Sequence, residues 1–216
     1  MLFSPSDFKA PYISQLQVWQ MADDFRVKFW KGTLPVNVMA IVEFDLNLDI
    51  VPMSSLRQDA DIDALLLDDC QTIVVEQGFY MDDRYQNRIR FSVAHELGHF
   101  VMHKEVFGAM PRSSAEEWLA FVRDMPEREY SFLESQAYEF AGRFLVPPKE
   151  LRQELEAAVE QAEAGGLARN QLREDSHMQY LAKPIARHFE VSSNVNRKAI
   201  VERDPLAACL MGLLKE

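Results

Sequence analysis

The sequence predicts an α+β domain of one principal core with a short helical segment at its C-terminal end. Three observations lead there. Helical patterns come first, a group of short β-type runs follows, and then comes a long helical stretch carrying His95-Glu96-Leu97-Gly98-His99. At 216 residues the chain is long enough for one good-sized core, or one core and a small appendage.

Taken in order, Gln15 to Trp30 mixes apolar and charged residues as a helix does, and Pro35 suits the first turn of a second helix through Ile41-Val-Glu-Phe44. Three strands are expected at Leu46–Val51, Ala64–Leu67 and Thr72–Val75, the last two divided by an Asp68-Asp69 turn. Tyr80 to Gln86 is polar and loop-like. From Arg88 to His103 there is no proline, and Ile89, Val93, Leu97 and Phe100 recur at helical spacing as a core-facing stripe. Ser92, His95, His99 and His103 fall on a neighbouring face.

A short helix is expected at Ala115–Arg123 and a strong one at Ser131–Val146, stopped by Pro147-Pro148. Glu150–Ala164 makes a charged helix that Gly165-Gly166 ends, which places a boundary there: residues 1–165 form the principal domain and 166–216 the small helical segment. Within that segment Tyr180–Phe189, a turn at 190–193 and Asn194–Glu202 have helix–turn–helix wiring, which Pro184 disturbs unless it lies in a first helical turn.

Composition narrows the function classes. Hydrophobic residues make up 48% of the chain and charged ones 26%, the balance of an ordinary globular protein. Met1–Asp7 has no basic start followed by an apolar run, and the longest apolar run, Leu206–Leu214, is far below the roughly 20 residues needed to span a bilayer. Cys70 and Cys209 form no CxxC spacing and read as core or half-buried thiols, so a reducing cytoplasm is the simplest home.

Net charge is −11, which argues against a broad nucleic-acid surface. Residues 170–216 hold seven basic and six acidic groups, a net +1, leaving −12 on the first 169 residues. Such acid is usually a solvated surface, and it equally suits a basic protein partner.

His95-Glu96-Leu97-Gly98-His99 is the pattern HExxH. Two imidazoles four residues apart on one helix face can bind the same Zn²⁺, and Glu96 beside them can take a proton from water. A lone histidine on such a face would read as a hydrogen-bonded core residue; the pair with its glutamate favours chemistry. Catalytic zinc takes a third protein ligand from another element. In 131–146, Leu133, Ala137, Phe140, Ala141 and Phe144 cluster on one face, with Glu134 on its flank and Glu139 nearly opposite. Glu134 is therefore the better candidate. Yet Ser131-Phe-Leu-Glu134 is also S-x-x-E, a capping box, and pattern alone leaves ligand and cap both open. His103 is expected behind the ligands, with direct ligation as the alternative. Arg88 and Arg90 either pair with Asp82-Asp83 or hold a substrate carbonyl. His177 and His188 have no evident metal partners.

With these residues in hand the chain resembles the ImmA/IrrE family of zinc metallopeptidases. The matching text is Arg90-Phe-Ser-Val-Ala-His-Glu-Leu-Gly-His99 with His103, then Glu134-Ser-Gln-Ala-Tyr-Glu-Phe-Ala141 and Phe144-Leu-Val-Pro147. The second stretch is similar to the family's E-x-E-A-N-x-F-A, with Gln136 in place of its second glutamate and Tyr138 in place of its asparagine. The match extends weakly to Leu34–Val38 upstream and to Ala186–Ser192 downstream.

The resemblance implies a zincin-like core in which a small sheet packs with the HExxH helix and a second ligand helix. It strengthens Glu134 as third ligand beside His95 and His99. It also implies a cytoplasmic endopeptidase that cuts a helix–turn–helix repressor. Zn²⁺ in that site would lower the pKa of its water to about 7, Glu96 would act as general base, and Tyr138 or His103 would be candidate oxyanion donors. Three rivals stand beside this expectation: a zinc-binding module that holds a repressor without cutting it, a DNA-binding regulator using residues 178–204, and a hydrolase of non-peptide substrates. The near-neutral charge of 178–204 speaks against tight duplex binding.

Overall fold

A computed structural model of the chain describes residues 4–168, 171–172 and 175–204. Cys209 and the apolar run after Pro205 lie outside the described residues. The molecule is mostly helical with one three-stranded sheet, an α+β architecture. It divides into two compact units: the described residues of Met1–Lys31 with Asn37–Ala141, and those of Gly32–Val36 with Gly142–Glu216. Gly165-Gly166, where a boundary was expected, is the C-terminal cap of a helix within the second unit.

In the first unit, helix α1 (Gln15–Phe29) begins at a capping box in which Ser14 and Gln17 satisfy each other's backbone amides. Pro35 does not open the next helix. Asn37 does, its side chain accepting from the Ala40 amide at 3.1 Å, and α2 (Val38–Ala40) runs into a π-turn at Ile41–Asp45. The first strand is displaced for the same local reason. The Leu46 and Leu48 amides bond back to the Ile41 and Val42 carbonyls, so those two leucines close the turn, and β1 is Asp49–Met53.

Helix α3 (Leu56–Ala60) then leads to β2 (Ala64–Leu66) and β3 (Thr72–Glu76). Strand order is β1-β3-β2, with β1 parallel and β2 antiparallel to the central β3. The β2–β3 hairpin closes through Asp69, whose carboxylate accepts from the Gln71 and Thr72 amides. Ile73, Val74 and Val75 of β3 are buried.

Short α4 (Gln77–Tyr80) and a 3₁₀ turn at Asp83–Tyr85 occupy most of the expected loop before α5 (Gln86–Phe107), which lies against β2 and β3. Ile89, Val93 and Leu97 are fully buried, whereas Phe100 is half-buried under the Lys104 ammonium. After α6 (Ala115–Asp124), helix α7 (Glu127–Leu145) starts a turn earlier than its sequence pattern suggested. Pro126 lies just ahead of this start. Its carbonyl accepts the Tyr130 amide and starts the helix, and Glu127 and Glu129 suit the positive dipole end.

Gly98 sets how closely α7 approaches α5. A Cβ there would stand 3.2 Å from the Phe140 Cβ and 3.3 Å from the Ala137 Cα. Nothing larger than hydrogen fits without movement.

In the second unit, α8 (Pro148–Ala164) begins two residues ahead of expectation because Pro148 serves at its first helical position. Gly166, at φ +90, takes the left-handed conformation past its end. Helix α9 (Asp175–Phe189) runs straight through Pro184, far from its first turn. Pro184 and Tyr180 are both exposed and one turn apart, and without an N–H at Pro184 the Tyr180 carbonyl loses its intrahelical donor. A turn at Glu190–Ser192 joins α9 to α10 (Ser193–Lys198), which is shorter than expected and passes into a π-turn at Ala199–Arg203. Buried Asn196 ties the two helices by donating to the Ala182 carbonyl at 3.0 Å. Among the described residues no helix is long and apolar enough to cross a membrane.

Candidate metal centre

The two long helices of the first unit bring three metal-competent side chains together. His95 and His99 project from consecutive turns of α5, and Glu134 from the middle of α7. His95 Nε2 lies 3.1 Å from His99 Nε2 and 3.1 Å from Glu134 Oε2, and His99 Nε2 lies 3.6 Å from Glu134 Oε1. Donors about 2.1 Å from a tetrahedral zinc sit roughly 3.4 Å apart, so these separations fit one small ion. Two nitrogens and a carboxylate oxygen are also a donor set zinc prefers.

The capping reading of Glu134 is overturned. Ser131 lies inside α7 rather than at its start, so its neighbours' amides already have helical partners. The Glu134 carboxylate instead faces the histidines. Glu139, the rejected alternative, accepts from the Trp19 indole at 3.0 Å.

Electrostatics follow from that packing. Burial alone would raise Glu134, but hydrogen bonds to His95 and His99 hold it well below the ordinary carboxylate range. Burial drives His99 well below the usual imidazole value. Burial also pulls His95 down, yet the Glu134 hydrogen bond and the Glu134 and Glu96 charges together outweigh it and the net shift is upward. A cation among the three would displace that proton, because ligating imidazoles must be neutral.

Glu96 is directed away from the other three side chains. Its Oε2 accepts the Leu66 amide of β2 at 2.8 Å and stands 3.5 Å from Arg112 Nη2. Burial raises its pKa. A cavity of about 320 Å³ opens over His95, Glu96, His99 and Glu134. Its walls include Ala64 and Leu65 of β2, Phe91, Trp118 and Tyr130.

The other candidates fall outside this cavity. His103 presents Nδ1 to His99 Nδ1 at 2.9 Å and Nε2 to Gln136 Oε1 at 2.8 Å, so it stands behind His99. Burial lowers it to about 4, and it is neutral at ordinary pH. The Tyr138 ring packs against Phe91 at a centroid distance of 5.0 Å and does not line the cavity. Arg88 pairs with Asp63 at 2.6 Å rather than with Asp82, which is taken by Arg84. His188 lies 3.6 Å from Glu154, and His177 meets the Gln171 carbonyl.

Two wall residues carried no sequence signal as site members. Arg112, in an irregular turn without periodicity, has a fully buried guanidinium clamped between Phe107 and Trp118, 3.9 Å from each ring centre. Its Nε donates to the Leu66 carbonyl at 2.9 Å, and Nη1 has no hydrogen-bond partner among the described residues. Burial lowers it to about 10, still cationic near neutrality. Tyr130 stands one helical turn before Glu134, a relation hidden while α7 was read from Ser131. Burial, with Glu134 and Glu96 nearby, pushes its hydroxyl up to about 12.

With this geometry in view, the family comparison is decisive. Residues 79–200 match the IrrE N-terminal-like domain, Peptidase_M78, over more than half of the chain. The chain belongs to the ImmA/IrrE metallopeptidase family. Both site helices, α5 and α7, lie within the matched residues. A search of curated proteins gives no match.

Proposed function

We propose that this member of the family is a zinc-dependent endopeptidase with a zincin-like core, and that its substrate is a protein, specifically a helix–turn–helix transcriptional repressor whose cleavage relieves repression. The observation that carries the catalytic part is the convergence of His95 Nε2, His99 Nε2 and Glu134 on one point beside Glu96 in an open cavity. The repressor as substrate follows from family resemblance.

His95, His99 and Glu134 would hold the zinc, in the gluzincin manner with glutamate as third ligand. When bound it supplies Lewis acidity and a water of lowered pKa. Glu96 does the proton work: its carboxylate takes the proton of the attacking water and delivers it to the leaving amine nitrogen. The Leu66 amide holds Oε2 in place, and burial raises the carboxyl toward the working pH of such a base. Tyr130 and Arg112 line the same cavity with donors that stay protonated, so they, rather than Tyr138 or His103, are suited to the developing oxyanion.

Strand β2 supports a peptide substrate. It is an edge of the sheet, and Ala64 and Leu65 form part of the cavity wall, so an extended chain can align its main chain there.

The test is incubation of the purified, zinc-loaded protein with a candidate repressor. Discrete fragments are expected, with Glu96→Gln retaining zinc and losing about 10²- to 10⁴-fold in rate. A stoichiometric complex without fragments, unchanged by Glu96→Gln, would replace the peptidase reading with a zinc-containing anti-repressor.

A further inference from the structure

The hydrogen-bond chain behind His99 can be assigned from its far end. Residues 10–11 run along α7, with the Ala10 amide donating to Glu129 Oε2 at 2.9 Å and the Pro11 carbonyl accepting from Gln136 Nε2 at 3.1 Å. Glu129 and Gln136 are seven residues apart, two turns, and so share a face of α7. A carbonyl can only accept, so the Gln136 amide must turn its nitrogen to Pro11 and its oxygen to His103. That oxygen, 2.8 Å from His103 Nε2, requires an Nε2–H. His103 Nδ1 then carries a lone pair. At 2.9 Å from it, His99 Nδ1 must be the N–H partner. His99 Nε2 is left with its lone pair directed toward His95 and Glu134. The reversed amide would set two oxygens against each other at Pro11, and the other His103 tautomer would set the Nε2 lone pair against the Gln136 oxygen.

We propose that Gln136 is a positioning residue, which reads the Pro11 carbonyl and fixes, through His103, the one tautomer in which His99 offers an unprotonated Nε2 to a metal. The N-terminal segment thereby becomes part of the metal site without touching the ion. The inference rests on the metal-centre reading above and deepens it. Partners of this kind orient metal-bound histidines and raise their basicity.

The experiment measures zinc affinity of the full chain by competition with a chromophoric chelator, alongside ¹⁵N resonances of the histidine rings. In the zinc-loaded wild type, His99 should be protonated at Nδ1 and His103 at Nε2. Gln136→Leu should weaken zinc binding by about 10- to 100-fold. Gln136→Glu, which keeps the acceptor for His103 but loses the donor to Pro11, should bind zinc more tightly than Gln136→Leu and less tightly than the wild type. In a His103→Leu background Gln136→Leu should cost nothing more, because the chain is already cut.

A His103 protonated at Nδ1 overturns the inference without any variant. So does zinc binding that ignores Gln136→Leu, or additive losses in the double variant, which would mark a packing role. Absence of zinc binding by the wild type would bring down the metallopeptidase reading itself, and this inference with it.

Discussion

At the scale of single residues, Glu134 and Tyr130 show how little of a site is carried by identity alone. Glu134 could be a cap or a ligand until the start of α7 was known, because both roles need the same carboxylate on the same flank. With its oxygens 3.1 Å from His95 Nε2 and 3.6 Å from His99 Nε2, Glu134→Gln should weaken zinc binding at least tenfold in chelator competition. Full retention of zinc would refute its role as ligand. Tyr130 carries the complementary prediction. Its hydroxyl, pushed up to about 12 by burial and by the acids nearby, stays a donor across the working range. Tyr130→Phe should lower kcat by about 10²-fold while KM and zinc content hold, a pattern steady-state kinetics with metal analysis would detect. A KM effect alone would assign Tyr130 to substrate binding. Because its pKa lies so high, ionisation of Tyr130 should not set the alkaline limb of the pH–rate profile.

At the scale of elements, the site depends on the contact between α5 and α7, and Gly98 governs that contact. Adding a methyl group would press on the Ala137 backbone, which cannot rotate away. Helix propensity favours alanine over glycine by up to about 1 kcal/mol, and overpacking costs about 1 to 3 kcal/mol. Gly98→Ala should therefore destabilise by about 1 kcal/mol in urea unfolding and weaken zinc binding by shifting Glu134. Stabilisation with unchanged affinity would show that α7 yields freely. Element boundaries were legible wherever a local rule dominated. Ser14–Gln17 opens α1, Gly165-Gly166 closes α8, and the apolar runs of β2 and β3 sit within a residue of their strands. They were misplaced where proline or leucine had a second local use. Pro126 and Pro148 start helices, although Pro147-Pro148 also follows the end of α7 at Leu145 as expected, and Leu46 and Leu48 serve a π-turn instead of β1.

At the scale of the molecule, zinc would couple folding to function. An ion that binds only the assembled His95–His99–Glu134 cluster stabilises the native state by RT ln(1 + [L]/Kd), about 4 kcal/mol at a thousandfold excess over Kd. Chelation should therefore lower the midpoint of thermal unfolding, and restored zinc should recover it. An unfolding curve indifferent to chelator and zinc would show that the cluster holds no ion of consequence. The sequence by itself determined the α+β class, the two imidazoles on one helix face and the glutamate beside them, because helical spacing of four residues is a local geometric fact. It also carried the family. Only the tertiary structure decided that Glu134 faces His95 and His99 rather than a helix start, that Arg112 is buried against Glu96, and that a chain runs from Pro11 to His99. Those relations join residues up to 125 positions apart, and no local periodicity records which distant side chains a packed core will bring within hydrogen-bonding distance.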